Sequence, residues 1–184
     1  LTPKIVAKVE SIHPGGSSKA RVAVALIGAA ERDGKLKPGG TIVEPTSGNT
    51  GTGLAIAARL KGYRVIAVMP DKMSKEKIDL LRAYGAEVVV APTAVAPDSP
   101  ESYYSVAKRL TAEIPGAFQP NQYFNPANPQ AHYDSTGPEL YEQTGGVLRH
   151  LVILDGTRGA ITSTRRYLKG DNQAHQLIAH VHGG

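Results

Sequence analysis

The sequence predicts an α/β fold: an open, twisted, parallel sheet with helices on both faces, in three αβα layers. Short β-branched runs alternate along the chain with longer Ala-, Leu- and Lys-rich segments whose apolar residues recur at helical spacing. Gly and Pro separate these segments, as they do at turns. The connections are short, which favours right-handed crossovers between parallel strands. The 184 residues are enough to bury a core of their own.

The strands are predicted at the β-branched runs, because uniformly apolar runs of this length are typical of strands buried on both faces. These predicted strands cover residues 5–9, 41–44, 65–68, 88–90, 151–154 and 177–181. Helices are predicted over residues 18–32, 51–61, 74–84, 99–114, 139–144 and 161–168. Ser74 and Ser99 are of a residue type that caps helix N-termini. Between residues 117 and 138 the pattern weakens into Pro- and Asn-rich sequence.

The composition excludes several classes of site. The chain has no cysteine, so it has no disulfide framework, no thiolate metal site and no cysteine nucleophile. The 6 histidines have no spacing typical of a metal site, and no metal is expected. No run approaches the roughly 18 apolar residues of a membrane span, and we expect no signal peptide. We therefore expect a cytoplasmic protein with no membrane partner.

The charge balance is basic but does not predict nucleic-acid binding. The chain has 21 Lys and Arg against 16 Asp and Glu, a net charge of +5. The basic residues are scattered, aromatic residues make up 5% of the chain, and no segment interleaves arginine with aromatic side chains. A solvated basic surface that suits small anionic ligands is the expectation.

The first candidate site is the loop at residues 45–51, which follows the strand predicted at 41–44 and leads into a helix. Ligands of open parallel sheets bind at the carboxyl ends of the strands. Glycines there let the backbone approach a ligand, while hydroxyl, amide and helix N-terminal N–H groups donate hydrogen bonds. The loop therefore suits a carboxylate or a phosphate. The same residue types also serve as plain turn and cap residues. The candidates are Thr46, Ser47, Gly48, Asn49 and Thr50.

The second candidate is Lys19, in the first turn of a predicted helix behind a Gly- and Ser-rich loop. A cation there opposes the helix dipole, so a purely structural lysine is misplaced. Two functional roles are open: neutralising a phosphate, or acting as an amine nucleophile with a lowered pKa. An exposed lysine on an amphipathic helix is the third possibility.

A third loop, at residues 155–160, follows the strand predicted at 151–154 and has the arrangement of a phosphate-binding turn. Its candidate residues are Gly156, Thr157 and Gly159. Gln119 and Gln122, in the Asn-rich segment, are candidates for binding a ligand carboxylate.

These motifs, in this order, resemble the fold-type II pyridoxal-phosphate enzymes of the cysteine synthase and cystathionine β-synthase family. The resemblance runs from about residue 6 to residue 169. It rests on Gly-Gly-Ser-Ser-Lys at 15–19, Pro-Thr-Ser-Gly-Asn-Thr-Gly at 45–51, and Gln-Tyr at 122–123 followed by Asn-Pro-Ala-Asn-Pro at 125–129. Within the family, the chain is more similar to the cystathionine β-synthases than to other members.

The resemblance implies β-replacement on serine-type amino acids, with pyridoxal 5'-phosphate as cofactor. It implies that Lys19 forms the Schiff base and then acts as general base, and that Asn49 hydrogen-bonds the phenolic oxygen of the cofactor. The small amino-acid substrate is the expected partner, together with a second copy of the chain in a homodimer. The implied phosphate ligands are Gly156, Thr157 and Gly159, and the implied substrate-binding residues are Thr46, Ser47, Gly48, Thr50 and Gln122.

The chain departs from the family pattern at three positions. Arg158 stands where the phosphate loop has a glycine, Ala160 where it has a hydroxyl, and Ala20 where an aspartate usually follows the lysine. We expect Arg158 either to obstruct the loop or require an unfavourable backbone angle, or to add a cation to the phosphate.

The expected domain layout is a single α/β domain over residues 1–184. Within it, about 10–145 form the small cofactor and substrate lobe, and about 146–184 are a remnant of the large lobe. The alternative function is a truncated or redesigned non-catalytic domain. Such a domain keeps the fold and an anion-binding loop but binds pyridoxal phosphate poorly or not at all.

Overall fold

The computed structural model describes residues 4–155, 158–171 and 176–181. A 3-10 turn, Glu10–Ile12, precedes the first α-helix. The helices are α1 Lys19–Arg32, α2 Asn49–Lys61, α3 Lys75–Ala83, α4 Tyr103–Glu113, α5 Ala127–Ala131, α6 Gly137–Gln143 and α7 Gly159–Asp171. The strands are β1 Thr41–Pro45, β2 Arg64–Pro70, β3 Glu87–Ala91, β4 Ala117–Phe118, β5 His150–Asp155 and β6 Gln176–Val181.

The strands form two sheets. Every neighbouring pair of strands is parallel, and this parallel pairing is what the sequence predicts. The larger sheet has the order β3-β2-β1-β4, and the smaller one pairs β5 with β6. In the larger sheet β1 lies between β2 and β4, so Thr41 faces Arg64 on one side and Ala117 on the other. The loops that leave the carboxyl ends of β1 and β4 therefore lie next to each other.

Helices cover both faces of the larger sheet, which confirms the predicted α/β architecture. On one face, α1, α2 and α3 bury a cluster that includes Ile27, Ile42, Leu54, Met69 and Leu81. On the opposite face, α4 packs on a second cluster, Val43, Ile66, Val68, Ala91, Val106 and Ala107. Alternate residues of β1 and β2 point to the two clusters, and both strands are buried over nearly their whole length.

The strand predicted over residues 5–9 is wrong. Ile5 is 90% exposed and Val6 is 58% exposed, so the apolar alternation of this segment buries no sheet face. Residues 5–9 are held by ionic contacts instead. The Lys8 ammonium lies 2.6 Å from a carboxylate oxygen of Glu139 on α6. The loop that carries Lys19 therefore follows an irregular segment and a 3-10 turn, and does not follow a strand.

Several boundaries also differ from those predicted. Helix α2 begins at Asn49, two residues earlier than expected, because the loop tightens into the helix directly after Gly48. Helix α4 is capped by the Ser102 hydroxyl, which accepts a hydrogen bond from the Ser105 N–H, and Ser99 lies outside the helix. Ser74 stands before α3 without such a bond to the helix backbone.

The Pro- and Asn-rich segment is more regular than predicted. It contains β4 and then a nearly continuous helical stretch formed by α5, a π-helical turn at His132–Thr136 and α6. Ala131 of this stretch packs on Val22 and Leu26 of α1 in a third buried cluster. Among the described residues, no helix is both long enough and apolar enough to cross a membrane.

An arginine on α1 ties the N-terminal segment to α6. The Arg21 guanidinium donates to both carboxylate oxygens of Glu10, over 2.8 and 2.9 Å. It also donates to both carboxylate oxygens of Glu139, over 2.6 and 2.7 Å. The Arg21 side chain is only 11% exposed, so these charge-assisted bonds lie in a partly desolvated position.

Candidate functional site

Two of the predicted site residues meet at the carboxyl ends of β1 and β4. Thr50 lies in the first turn of α2, and Gln122 lies in the loop that follows β4. The Thr50 hydroxyl donates a hydrogen bond of 2.6 Å to Gln122 Oε1, and both residues are buried. These two residues are 72 positions apart in the sequence and meet because β1 and β4 are neighbours in the sheet.

Thr46 organises the loop from within. Its buried side-chain oxygen accepts hydrogen bonds from the N–H groups of Gly48, at 3.2 Å, and Gly51, at 3.1 Å. Gly48 has a φ of 150°, a conformation that favours glycine. The side chains of Ser47 and Asn49 are exposed at the tip of the loop. The loop thus offers accessible polar groups on an internally bonded frame at the N-terminus of α2.

The backbone of Lys19 packs on α2, the helix that follows this loop. A Cβ atom placed on Gly53 would lie 2.8 Å from the Lys19 carbonyl oxygen and 3.1 Å from Ala23 Cβ, so only a glycine allows the two helices to approach this closely. The Lys19 N–H donates to the Ser17 hydroxyl oxygen. Burial lowers the pKa of the Lys19 side chain, which favours the neutral, nucleophilic amine.

Glu44, at the end of β1, was not among the predicted site residues. It is 1% exposed, and its two carboxylate oxygens accept hydrogen bonds from the N–H groups of Asn121, at 2.9 Å, and Gln122, at 3.2 Å. Burial raises the pKa of Glu44 to about 7, although both hydrogen bonds act in the opposite direction. An acidic residue inside an otherwise apolar strand is the sequence signal that could have identified it.

Asn128 connects the Gln122 segment to the start of α7. Its side-chain amide donates a hydrogen bond of 3.0 Å to the Gln122 carbonyl oxygen. On the other side it packs on Gly159, where a Cβ atom would lie 2.6 Å from Asn128 Oδ1. The predicted phosphate-binding and substrate-binding segments are therefore in contact through one buried side chain.

The predicted phosphate loop is described from Arg158 onward, and Gly156 and Thr157 lie outside the described residues. Arg158 is exposed and has a φ of 61°, so it adopts the left-handed conformation that the glycine of the family pattern adopts easily. The expected unfavourable backbone angle is confirmed. Because Arg158 is exposed, its side chain does not fill the space inside the protein. Helix α7 begins at the next residue, Gly159.

A buried histidine lies near Lys19. His132 is 1% exposed, and its Nδ1 is 3.0 Å from the Thr136 hydroxyl oxygen. Within the described part of the chain its Nε2 has no hydrogen-bond partner. Burial lowers the pKa of His132 to about 4, and the charge of Lys19 acts in the same direction. The imidazole is therefore neutral at physiological pH. A lone histidine in an irregular segment gives no sequence signal for such a position.

A family model for pyridoxal-phosphate dependent enzymes matches residues 1–182 of this sequence. The chain belongs to this family. The resemblance found in the motifs is thereby confirmed, and pyridoxal phosphate is the cofactor of the family.

The curated relatives of this family member are longer proteins. Cystathionine beta-synthase of Oryctolagus cuniculus is 53% identical over 178 residues, which cover 97% of this chain and 32% of that protein. Cystathionine beta-synthase of Saccharomyces cerevisiae is 47% identical over 184 residues, covering 97% and 36% respectively. Cysteine synthase 1 of Neurospora crassa is 47% identical, covering 90% and 44%. The chain spans about a third of the length of the cystathionine beta-synthases that it matches.

Two solved structures share the fold of this family member. O-ureido-L-serine synthase superposes with a TM-score of 0.85 at 40% identity, covering 94% of this chain and 54% of the other. An O-acetylserine dependent cystathionine beta-synthase from Helicobacter pylori gives a TM-score of 0.85 at 39% identity, covering 94% and 56%. At these identities and scores, the likeness extends over nearly the whole described chain.

The described residues fit the family cofactor at two of its groups. The aldehyde of pyridoxal phosphate reacts with a neutral amine, and Lys19 has a pKa lowered by burial. The phosphate requires backbone N–H groups at a helix N-terminus, and the first turn of α7, a helix of 13 residues, supplies them. Asn128 lies so close to residue 159 that only a glycine fits at the start of α7.

Proposed function

We propose that this chain carries out pyridoxal-phosphate dependent β-replacement on serine-type amino acids, with Lys19 as the residue that binds the cofactor covalently. The observation that supports the proposal is the packing of the Lys19 carbonyl oxygen on Gly53, which brings the backbone of this partly buried lysine against α2, the helix that follows the Thr46–Thr50 loop. Membership of the family supports the reaction class. In this reaction the α-proton and the β-hydroxyl leave as water, after which the sulfur of a thiol bonds to the β-carbon and a proton returns to the α-carbon.

Lys19 has two roles in this proposal. It holds the cofactor, and once released from the cofactor it accepts the α-proton of the substrate as general base. Burial lowers the pKa of its amine, which increases the neutral fraction that both roles require. Bound pyridoxal phosphate supplies the electron-withdrawing ring that stabilises negative charge at the α-carbon.

The substrate carboxylate binds to the loop at the start of α2. Ser47 and Thr50 contribute hydroxyl groups, Thr46 and Gly48 the loop frame, and Gln122 its side-chain amide. The N-terminus of α2 adds the partial positive charge of its N–H groups.

The cofactor contacts are the finer part of the proposal. The exposed Asn49 amide is assigned to the phenolic oxygen of the cofactor. The phosphate is assigned to Gly156, Thr157 and Gly159, of which Gly159 begins α7. Homodimer formation, the division into two lobes and the cytoplasmic location stay predictions.

The test is a β-replacement assay. With pyridoxal phosphate, L-serine or O-acetyl-L-serine, and hydrosulfide or a thiol, the chain is expected to form the thioether or thiol amino acid. Replacement Lys19→Ala is expected to abolish the product, while Lys61→Ala, at an exposed lysine of α2, leaves it unchanged. Equal product from wild type and Lys19→Ala would refute the proposal.

A second candidate is the non-catalytic domain that binds pyridoxal phosphate poorly. The observation that favours it is the phosphate loop, in which Arg158 has a left-handed backbone and Ala160 lacks a hydroxyl group. This candidate predicts no absorbance change on adding pyridoxal phosphate to the wild type. It also predicts that reverting both positions, in Arg158→Gly with Ala160→Thr, restores cofactor binding.

A further inference from the structure

Glu44 is the penultimate residue of β1, and its carboxylate bonds the turn that carries Gln122. Each carboxylate oxygen accepts one backbone N–H, from Asn121 at 2.9 Å and from Gln122 at 3.2 Å. Only 1% of the residue is exposed. A buried carboxylate that bonds two consecutive N–H groups fixes the direction of that peptide segment as well as its distance from the strand.

The turn needs such a restraint. Asn121 has a φ of 51°, the left-handed conformation, which asparagine adopts more easily than other residues with a side chain but less easily than glycine. The side chains around the turn leave a cavity of about 640 Å³, which Glu44 itself lines. Packing on this side is therefore incomplete, and the hydrogen bonds to Glu44 link the turn directly to the strand. The other lining residues are Pro45, Tyr104, Lys108, Gln119, Asn121, Tyr123 and Phe124.

Gln122 is then fixed at three points. Glu44 accepts its N–H, Asn128 donates to its carbonyl oxygen over 3.0 Å, and Thr50 donates to its side-chain oxygen over 2.6 Å. The bond to Glu44 is the longest of the three, at 3.2 Å, and it is the one that links the turn to the sheet. If this bond is lost, the two that remain connect Gln122 to Thr50 on α2 and to Asn128, in the segment that follows Gln122.

We propose that Glu44 is the positioning residue for Gln122. It holds the Gln122 side chain within hydrogen-bond distance of Thr50 and thereby sets the affinity of the loop at residues 45–51 for a carboxylate. The inference rests on the proposed function, because that function assigns the substrate carboxylate to this loop. Glu44 acts through the backbone of the turn and contacts no part of the substrate.

The first experiment compares Glu44→Gln with the wild-type chain by amide hydrogen exchange, without cofactor or substrate. The side-chain amide of glutamine has one oxygen and one NH2 group. The NH2 group faces one of the two backbone N–H groups and cannot accept its hydrogen bond, so one of the two bonds is lost. The Asn121 and Gln122 amides are expected to exchange at least about tenfold faster, because that restraint is gone. Amides in the buried strand β2 are expected to keep their wild-type rates. Unchanged exchange at both turn amides would overturn the proposal.

The matched control is Glu87→Gln, at an exposed glutamate on β3, in the same sheet but not adjacent to β1. It is expected to leave exchange at Asn121 and Gln122 unchanged. In the holoenzyme, Glu44→Gln is expected to raise the KM for L-serine about tenfold with kcat within about twofold, since ground-state binding is what the turn controls. A fall in kcat at constant KM would overturn the positioning role.

A second measurement needs no variant, in case Glu44→Gln fails to fold. The N–H resonances of Asn121 and Gln122 in the wild-type chain are expected to follow one shared titration between about pH 5 and 8. The titratable groups that face Glu44 across the cavity are Tyr104, Lys108 and Tyr123. Burial raises the pKa of Tyr123 above its ordinary value, and so away from this range. Resonances that stay constant with pH would overturn the proposal.

The two proposals fail in different ways. A chain that loses turn protection in Glu44→Gln but shows no Lys19-dependent reaction supports the positioning of Gln122 by Glu44 and refutes the proposed function. A chain that reacts but keeps wild-type exchange in Glu44→Gln supports the function and refutes the positioning role.

Discussion

Lys19 and Gly53 pack so closely that a Cβ atom on Gly53 would lie 2.8 Å from the Lys19 carbonyl oxygen. This contact joins the first turn of α1 to the first turns of α2. It brings together two sequence motifs that are far apart in the chain. The geometry of the site therefore depends on a residue without a side chain as much as on the lysine.

The variant Gly53→Ala is expected to force α1 and α2 apart. Overpacking costs about 1–3 kcal/mol, and alanine gains roughly 1 kcal/mol in a helix. We expect the free energy of unfolding to fall by up to about 2 kcal/mol and cofactor attachment at Lys19 to weaken. Urea denaturation and absorbance titration measure the two effects.

The control for this prediction is Gly28→Ala in α1. A Cβ atom there contacts only the flexible end of Arg32, at 3.4 Å. This variant is expected to gain up to about 1 kcal/mol from helix propensity. If both variants changed the stability equally, the close approach of Lys19 and Gly53 would not be important.

The variant Arg158→Gly is expected to stabilise the chain. The left-handed backbone at Arg158 costs a non-glycine residue about 1–2 kcal/mol. Glycine avoids this cost, but its greater freedom in the unfolded chain offsets roughly 0.5–1 kcal/mol of the gain. We expect a net gain of about 0.5–1 kcal/mol and tighter binding of pyridoxal phosphate.

The matched control is Arg165→Gly, at an exposed position within α7, which is expected to lose about 1 kcal/mol. Thermal unfolding measures both variants. A loss of stability in Arg158→Gly would mean that the backbone at this position is not strained.

Glu44 makes the stability depend on pH in a direction opposite to that of most carboxylates. The pKa of Glu44 in the folded chain, about 7, is above its ordinary value of 4.5. The contribution of Glu44 to the free energy of unfolding is therefore fully present below about pH 4.5 and is lost as the pH rises through 7. Relative to Glu44→Gln, the wild type is expected to lose roughly 3 kcal/mol between about pH 4 and pH 8. Urea denaturation at several pH values measures the difference. A constant difference between the two chains would contradict the buried, ionisable state of Glu44.

Arg21 is expected to matter because it binds two carboxylates at once. Lysine cannot reproduce the bidentate bonds to Glu10 and Glu139, so Arg21→Lys is expected to lower the free energy of unfolding by about 1–2 kcal/mol. The control Arg64→Lys, in an exposed pair with Glu87, is expected to change it by less than about 0.5 kcal/mol.

Acid is expected to remove the effect of Arg21→Lys. The hydrogen bonds from Arg21 lower the pKa of Glu139 to about 2 from an ordinary value of 4.5. The contribution of this carboxylate is thus present above about 4.5 and is lost as the pH falls toward 2. The difference in stability between wild type and Arg21→Lys should shrink over that range. A difference that stays constant down to pH 2 would contradict the assignment.

The sequence predicts β1, β2 and most helices well because their apolar periodicity matches their burial in the structure. It fails at residues 5–9, where the same β-branched pattern lies exposed and is fixed by ion pairs. It also misses β4, because a strand of two residues, Ala117–Phe118, is too short to show any periodicity. That strand determines where Gln122 lies.

At the candidate site, the sequence identifies the residues that have a family motif and misses the residues that support them. Thr50 and Gln122 are predicted and lie in contact. Glu44 is not predicted, and Asn128 is found only as part of the motif at 125–129, without a role. Both residues hold the backbone of Gln122 through strand neighbours and a turn that no local pattern reveals.

The central claim is that Lys19 binds the cofactor, and peptide mapping after borohydride reduction tests it most directly. The 184-residue chain is incubated with pyridoxal phosphate, reduced, digested and analysed by mass spectrometry. We expect the modified peptide to contain Lys19, and the absorbance of the bound cofactor to be absent in Lys19→Ala. Modification spread over exposed lysines, or a chain left unmodified at saturating cofactor, would contradict the account.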